Sequence, residues 1–368
     1  MNTRPSAWFG LLATGLLAFA CGSVPTTTAK VASPTAAATS PNPTPTAASN
    51  PCPPPSNRCL AVVALRGINP WVLRDITSIS HAKTVSTFMT SPPQFVSGTE
   101  LSYADDTGVF RMPLSGSPTT HVSKPGQPVS LFSWSPSGTT LAYLAQSGSG
   151  MALHLLSAGQ DRAVVGSIPA VPVTGCESQF CGGTWDLRLS YSPDGAFISL
   201  VESIANVNAF RLWSSGGKLL IRADSSSRSM STWSGHSFYF PGATGVDLWR
   251  GGVTSSFLPG VTWIRPNASP AGGQIVYETR DAQGWAHTFV VDTTTRKIRE
   301  LKKARTSPVF LTSRYVWYKG QRACVTTDYC PSGRTVADSG KTYIYDLLDS
   351  TETESVITAV FDVWPHAA

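Results

Sequence analysis

LFSWSPSGTTLAYLA, Leu131 to Ala145, sets an aromatic residue, a Ser-Pro, a small residue and a glycine ahead of an apolar run. Proline pre-sets the first turn angle and glycine accepts a positive φ, so Ser-Pro-x-Gly between two apolar stretches reads as a hairpin turn. The stretch recurs. Trp134 to Gly138 leads to Leu141 and Tyr143, Tyr191 to Gly195 to Ile198 and Leu200, and Ala268 to Gly272 to Ile275 and Tyr277. Degenerate copies stand at Phe95 to Gly98, before Leu101 and Tyr103, and at Trp233 to Gly235, before Phe238 to Phe240.

Each copy predicts an inner strand ending in the aromatic, the turn, and a second strand alternating apolar and polar residues. Third and fourth strands follow, as in Met151–Ala158 with Arg162–Ile168, Ala209–Ser215 with Lys218–Ala223, and His287–Thr293 with Lys297–Lys302. Four short strands in a unit of about 40 residues are the pattern of a β-propeller blade. The expected fold class is all-β, a ring of about seven four-stranded blades, with six or eight open. Residues 59–368 give about 44 residues per blade for seven, against about 52 for six and about 39 for eight. Thr358–Ala368 has the form of an inner strand with nothing after it. Leu60–Gly67, Trp71–Thr77 and Lys83–Met89 have the form of the other three strands with nothing before them. The two ends together make one blade and close the ring, which removes open sheet edges.

The aromatic-Ser-Pro-Asp-Gly unit resembles the repeat of TolB-type propellers, also found in the propeller domains of dipeptidyl-peptidase-like and prolyl-oligopeptidase-like proteins. The resemblance covers about Cys59 to the C-terminus, and Tyr191–Gly195 alone keeps the aspartate. It implies a propeller and leaves the function open. The N-terminal α/β domain of TolB has no counterpart here, so TolB's role is not carried over.

Residues 1–20 read as a signal peptide: Arg4 supplies the positive start and Trp8–Ala20 an apolar segment too short to span a bilayer. Ala20-Cys21-Gly22 resembles the lipobox of bacterial lipoproteins, in which the cysteine, here Cys21, is lipidated. The positions before it hold Ala18 and Phe19, with Leu17 one place early. Ordinary secretion with cleavage after Ala18 or Ala20 is the alternative. Residues 21–58 are rich in Thr, Pro, Ala and Ser and carry too little apolar surface to fold, which reads as an extended tether. The propeller follows over 59–368. The expected location is extracytoplasmic, lipid-anchored to the bacterial cell membrane.

The remaining six cysteines fall in close pairs, Cys52–Cys59, Cys176–Cys181 and Cys324–Cys330, read as local disulfides in an oxidising compartment. None is a Cys-x-x-Cys with histidines nearby, so no metal site is expected. Residues 1–20 hold Arg4 as their one charge, so the rest of the chain keeps 27 basic against 22 acidic side chains. That mild surplus suits anionic lipids or wall polymers.

Catalytic signatures are sought and not assigned. Gly-x-Ser-x-Gly is missing from the sequence, which argues against a serine hydrolase. Gly333 to Thr342 has six residues between its glycines where a phosphate loop has four, and its Gly-Lys-Thr opens a strand. It reads as a hairpin loop pinned by Cys324–Cys330. Carboxylates that could line a propeller channel are Asp186, Asp194, Glu202, Glu278 and Asp362, with Asp194 read as a turn residue. His81, His121, His154, His236, His287 and His366 form no short-spaced metal pair. Arg296, Lys297, Arg299, Lys302, Lys303 and Arg305 crowd around Glu300, read as the outer strand of a blade and the connection after it. They form either an anionic-partner patch or an edge guarded from pairing. Trp71, Trp249 and Trp285 lie off the repeat's anchor position and are expected to be exposed.

The function expected is that of a non-catalytic envelope-anchored lipoprotein binding a protein, peptide or cell-wall polymer. It would need no cofactor and no nucleic acid, and would meet the membrane through its N-terminal lipid. The alternative is a propeller hydrolase or lyase acting on a glycan or lactone.

Overall fold

The computed structural model describes residues 52, 58–88, 92–105, 107–123, 129, 131–148, 150–169, 188–204, 207–225, 231–326, 328, 330 and 334–366. Cys21, Cys176, Cys181 and Asp186 lie outside them, as does the side chain of Glu202. Ala48–Ala368 form one compact unit.

The chain is a seven-bladed β-propeller of four-stranded antiparallel sheets. Blade 1 joins β28 (Ile357–Trp364) to β1 (Leu60–Leu65), β2 (Ile68–Asp75) and β3 (Lys83–Phe88). Blade 2 is β4 (Gln94–Phe95), β5 (Glu100–Asp105), β6 (Gly108–Pro113) and β7 (Thr120–Ser123). Blade 3 holds β8 (Leu131–Trp134), β9 (Thr140–Ser147), β10 (Gly150–Ser157) and β11 (Gln160–Pro169). Blade 4 holds β12 (Arg188–Tyr191), β13 (Phe197–Ile204), β14 (Val207–Ser214) and β15 (Leu219–Ser225). Blade 5 runs from β16 (Thr232–Ser234) through β17 (Ser237–Gly242) and β18 (Gly245–Arg250) to β19 (Val253–Pro259). Blade 6 runs from β20 (Ile264–Ala268) through β21 (Gln274–Arg280) and β22 (Ala286–Asp292) to β23 (Ile298–Lys303). Blade 7 is β24 (Arg305–Phe310), β25 (Tyr315–Ala323), β26 (Thr335–Asp346) and β27 (Thr351–Ser355). The ring closes as expected, one C-terminal strand supplying the inner edge of three N-terminal ones, with Leu60 opposite Trp364.

The Ser-Pro-x-Gly stretches are the turns from first to second strand. Gly138, Gly195 and Gly272 have φ of 66°, 72° and 68°, and each donates its N–H to the motif serine's carbonyl at 2.8–2.9 Å. That serine also works through its side chain. Ser135 Oγ accepts from the Thr140 N–H at 3.0 Å, and Ser192 Oγ from the Phe197 N–H at 2.9 Å. The serine therefore ties the turn to the strand that follows. In the eroded copy Gly98 has no left-handed φ, and its missing side chain makes room for the Trp364 indole instead.

Second strands are expected to alternate apolar and polar residues; β9 does not. Leu141 to Ala145 are all buried because each blade is covered by a neighbour on both faces. The period of two survives as a division between two cores: Ala142 and Leu144 pack toward blade 4, Leu141, Tyr143 and Ala145 toward blade 2. Seven apolar clusters fill the seven interblade spaces. Outer strands, uncovered on their far edge, are polar, as in β23. Among the described residues no helix is long and apolar enough to cross a membrane.

Strand alternation gives the ring two unlike faces. One carries every Ser-Pro-x-Gly turn and every turn from third to fourth strand, and is called the turn face here. The other, the loop face, carries the turns from second to third strand, the ends of the outer strands and the starts of the inner ones.

Candidate functional site

The loop-face end of the channel is most elaborate at blades 6 and 7. Their inner strands carry matching bulges, where the register slips between Ile264 and Asn267 and between Thr306 and Val309. The bulged residues Arg265 and Ser307 adopt φ of 49° and 57°, and each precedes a proline, which has no N–H to lose at a bulge. Both converge on Glu278, whose carboxylate is fully buried. Its Oε1 accepts from Arg265 at 3.0 Å and Arg280 at 3.4 Å. Its Oε2 accepts from the Thr306 hydroxyl at 2.8 Å and the Ser307 N–H at 2.7 Å. Four donors on three strands thus close around one carboxylate. Lys319, opposite Thr306, joins the group; burial lowers the pKa of its ammonium, and the nearby Arg265 lowers it further.

Arg305 opens β24, not the connection before it as the sequence suggested, because Ala304 alone links the two blades. It grips Glu352 through two bonds of 3.0 and 2.7 Å and lies 4.0 Å over the Tyr343 ring. Tyr318 donates to the same carboxylate at 2.5 Å. Burial pushes the Glu352 pKa up, but Arg305 and Tyr318 outweigh it and hold the carboxyl below its ordinary value.

Deeper in the channel, Asp362 accepts the Phe95 N–H of blade 2 at 2.6 Å and meets His366 Nε2 at 3.1 Å. This is one case of a general joint: Ser133 accepts from the Tyr191 N–H and Asn267 from the Phe310 N–H, each linking one inner strand to the next. Arg188, at the start of β12, feels the Asp362 carboxylate, yet crowding by the channel wall around its exposed side chain wins and lowers its pKa. Crowding by the channel wall pulls the His366 pKa down although the imidazole is half-exposed, while Asp362 outweighs that and leaves it raised.

The other candidate carboxylate, Asp194, behaves as the turn residue the sequence suggested. It takes the Ser192 hydroxyl at 2.6 Å, the Ala196 N–H at 3.0 Å and His236 at 3.2 Å. Glu278, Asp362 and Asp194 thus stand on different strands with separate partners. The histidines also find local partners. His154 meets Asp161 and stacks on Tyr143, and His287 sits between Glu300 and Asp281. His81 reaches Ser78 and Ser80, and His121 stacks on Phe110.

The basic run of blade 6 does not form one patch. Arg296 turns to Phe257 of blade 5, Arg299 to the Leu347 carbonyl of blade 7, and Lys303 to Asp281 on the loop face. Lys297 and Lys302 are exposed. The cations form a strip along the outer edge of β23, and Arg305 lies inside the fold. Nor are the three off-motif tryptophans exposed: Trp249 is buried, and Trp71 and Trp285 are half-buried. Trp249 fills the space between blades 4 and 5.

The cysteine pairs within the described residues are bonded, Cys52 to Cys59 and Cys324 to Cys330. The second staples the tip of an arm on the loop face. β25 and β26 run past the end of the blade, separated from it by three extra residues, 339–341, opposite the step from Lys319 to Gly320. Gln321 and Thr335 clamp the arm to blade 6, both bonding the Gly284 carbonyl. Cys324, Asp328 and Cys330 have metal-ligand spacing, but both sulfurs are in the disulfide and Asp328 is held by Arg322 and the Val325 N–H. On the turn face, a groove of about 510 Å³ between blades 3 and 4 is lined by hydroxyls of Ser135, Ser137 and Ser157, with Arg162 and Asp194.

No family model matches the chain, and neither does any curated protein. Solved structures match at low identity. TolB from Acinetobacter baumannii is 13% identical, with 83% of this chain and 65% of that one covered and a TM-score of 0.39. A prolyl endopeptidase is 11% identical over 81% of this chain and 50% of its own, with a TM-score of 0.51. The propeller domain of the trilobed protease from Pyrococcus furiosus is 9% identical over 72% and 82%, with a TM-score of 0.44. The chain spans about two thirds of that TolB and half of the endopeptidase. At these identities the likeness is one of fold: the class defined is a seven-bladed propeller. Sequence reasoning named Glu278 among the channel carboxylates but did not foresee the hub of donors around it. Its one local signal is a pair of inner-strand prolines, Pro266 and Pro308, each after a polar residue.

Proposed function

We propose that this chain is a non-catalytic, envelope-anchored propeller lipoprotein that binds an acidic protein, peptide or wall-polymer partner at the loop-face end of its channel. One observation carries the reading. Arg188 and Lys319 stand on or beside inner strands at that end, while Glu278 is already committed to Arg265 and other donors of the fold and Asp362 to the Phe95 N–H. Lys319 is half-buried and burial lowers the pKa of its ammonium, while Arg188 is exposed at the start of β12, so each offers a place for a counter-charge. An acidic group on a partner would supply it. The stapled arm beside this end, clamped to blade 6, offers a contact surface, since loops on a fixed scaffold are where propellers bind.

The test is a photo-crosslinking residue at the exposed Val325 on the arm, introduced in the native host. A defined adduct is expected, and Arg188→Ser with Lys319→Ser should weaken it. An adduct unchanged by both substitutions would remove the channel from the reading. Intact mass of the native protein beside Cys21→Ser tests anchoring: acylation at Cys21 and loss of membrane association in the variant are expected.

A further inference from the structure

Of the nine large hydrophobic side chains exposed among the described residues, five gather at one level of the ring, while Ile68, Val325 and Val356 stand on the loop face and Val85 in an outer strand. Leu219 and Leu220 in blade 4, Val253 in blade 5, Ile298 in blade 6 and Leu348 in blade 7 are 36–68% exposed. All stand in, or just after, the turn from third to fourth strand, and therefore on the rim of the turn face. One exposed aliphatic residue needs no explanation. The same placement in four consecutive blades does.

Cations flank these tips: Lys218 before Leu219, Arg250 before Val253, Arg296 and Lys297 before Ile298, all exposed. Arg250 and Arg296 come close enough across the blade boundary to act together on the Tyr239 phenol. The acids of the same turns are occupied. Asp292 accepts the Thr294 and Thr295 N–H groups, and Asp346 and Asp349 hold Arg314. The rim presents positive charge around separate apolar points.

We propose that the turn-face rim of blades 4 to 7 seats on an anionic lipid bilayer, its aliphatic tips entering the headgroup boundary and its cations on lipid phosphates. Equivalent turns of successive blades lie at one level of the ring, so the points share a plane. A bilayer accepts separate protrusions on a plane, with affinity set by apolar area and by attraction to anionic lipid. A protein pocket would require one contiguous patch, which the rim does not offer. The direction of the chain agrees. β1 begins and β28 ends on the turn face, with Leu60 opposite Trp364, so the segment ahead of Cys59 joins the ring on this side. With this face on the membrane, the loop face and its arm would be left toward the partner. The inference extends the anchoring reading, but its test contains no acyl chain.

The ring is closed within the described residues, so a chain beginning at residue 21 and carrying Cys21→Ser retains it. Its partition is measured onto phosphatidylcholine vesicles with and without about 30% phosphatidylglycerol, at low and high salt. Binding to the anionic vesicles is expected, falling about fivefold for each of Lys218→Gln, Arg250→Gln and Lys297→Gln. Leu219→Ser, Val253→Ser and Ile298→Ser should each lower it as well. Val325→Ser and Lys341→Gln, on the loop face, should leave it unchanged. No binding to anionic vesicles overturns the proposal, as does binding that ignores the rim substitutions. Dependence on the cations alone overturns the bilayer and makes an anionic polymer the occupant. Absence of acylation in the native protein would be seen by mass and would leave the vesicle result standing by itself.

Discussion

Glu278→Ala should be among the most damaging single substitutions in the ring, and its effect can be estimated from the contacts. The carboxylate is wholly buried and takes four donors. Truncation leaves the Thr306 hydroxyl and Ser307 N–H without an acceptor, each a loss of about 1–3 kcal/mol. It also strips the counter-charge from Arg265 and Arg280. Their side chains are 40% and 31% exposed, so water screens much of that loss. The left-handed conformations of Arg265 and Ser307 would then be held without the group they converge on. The sum is about 3–5 kcal/mol, the range for breaking a buried pair by removing one partner. Over the 310 residues of the ring that lowers the melting temperature by about 5–8 °C. Urea unfolding, followed by tryptophan fluorescence and far-ultraviolet dichroism together, is the assay. Glu278→Gln should fall between wild type and Glu278→Ala, since the amide still offers one acceptor. Combining Glu278→Ala with Thr306→Val should cost less than the sum of the two, because the hydroxyl has already lost its acceptor. A loss below about 1 kcal/mol for Glu278→Ala, or strict additivity, would refute the hub.

The remaining predictions concern the turns, the closure and the arm. Ser192→Ala removes the acceptor of the Phe197 N–H and the donor to Asp194 and should destabilise by about 1–2 kcal/mol, read as a shift in the urea midpoint. Gly138→Ala should cost about as much, since φ is 66° and the new Cβ would stand 3.1 Å from Val96; a neutral result would mean the turn relaxes. His366 has a raised pKa in the fold, so its bond to Asp362 contributes stability fully below about pH 6.5 and loses it as pH rises through the folded value. The stability gap between wild type and His366→Asn should therefore be largest at acidic pH. It should stay under about 1 kcal/mol, because the imidazole is half-exposed, and a gap that grows with pH would contradict the contact. Reducing or replacing Cys324 and Cys330 should speed proteolysis within the arm while leaving the unfolding midpoint of the ring nearly unchanged.

The sequence by itself determined the blade. Ser-Pro-x-Gly acts through φ angles and hydrogen bonds spanning six residues, so its repetition was enough to place turns, strand order and the joining of the two ends. The local disulfide at Cys324–Cys330 was legible for the same reason, as was Asp194 as a turn residue. What escaped the sequence was everything set by a second blade. Leu141 to Ala145 read as one apolar run until blades 2 and 4 divide its two faces between two cores. Trp249 looks free until blade 4 meets it. Arg305 belongs by sequence to a basic run and in space to Glu352, 47 residues away. Glu278 gathers donors from three strands, and the rim aliphatics are unremarkable until four turns are brought to one level of one face. Backbone geometry is written locally and can be read along the chain. Burial and charge pairing depend on which blade arrives next, and the tertiary structure alone decides that.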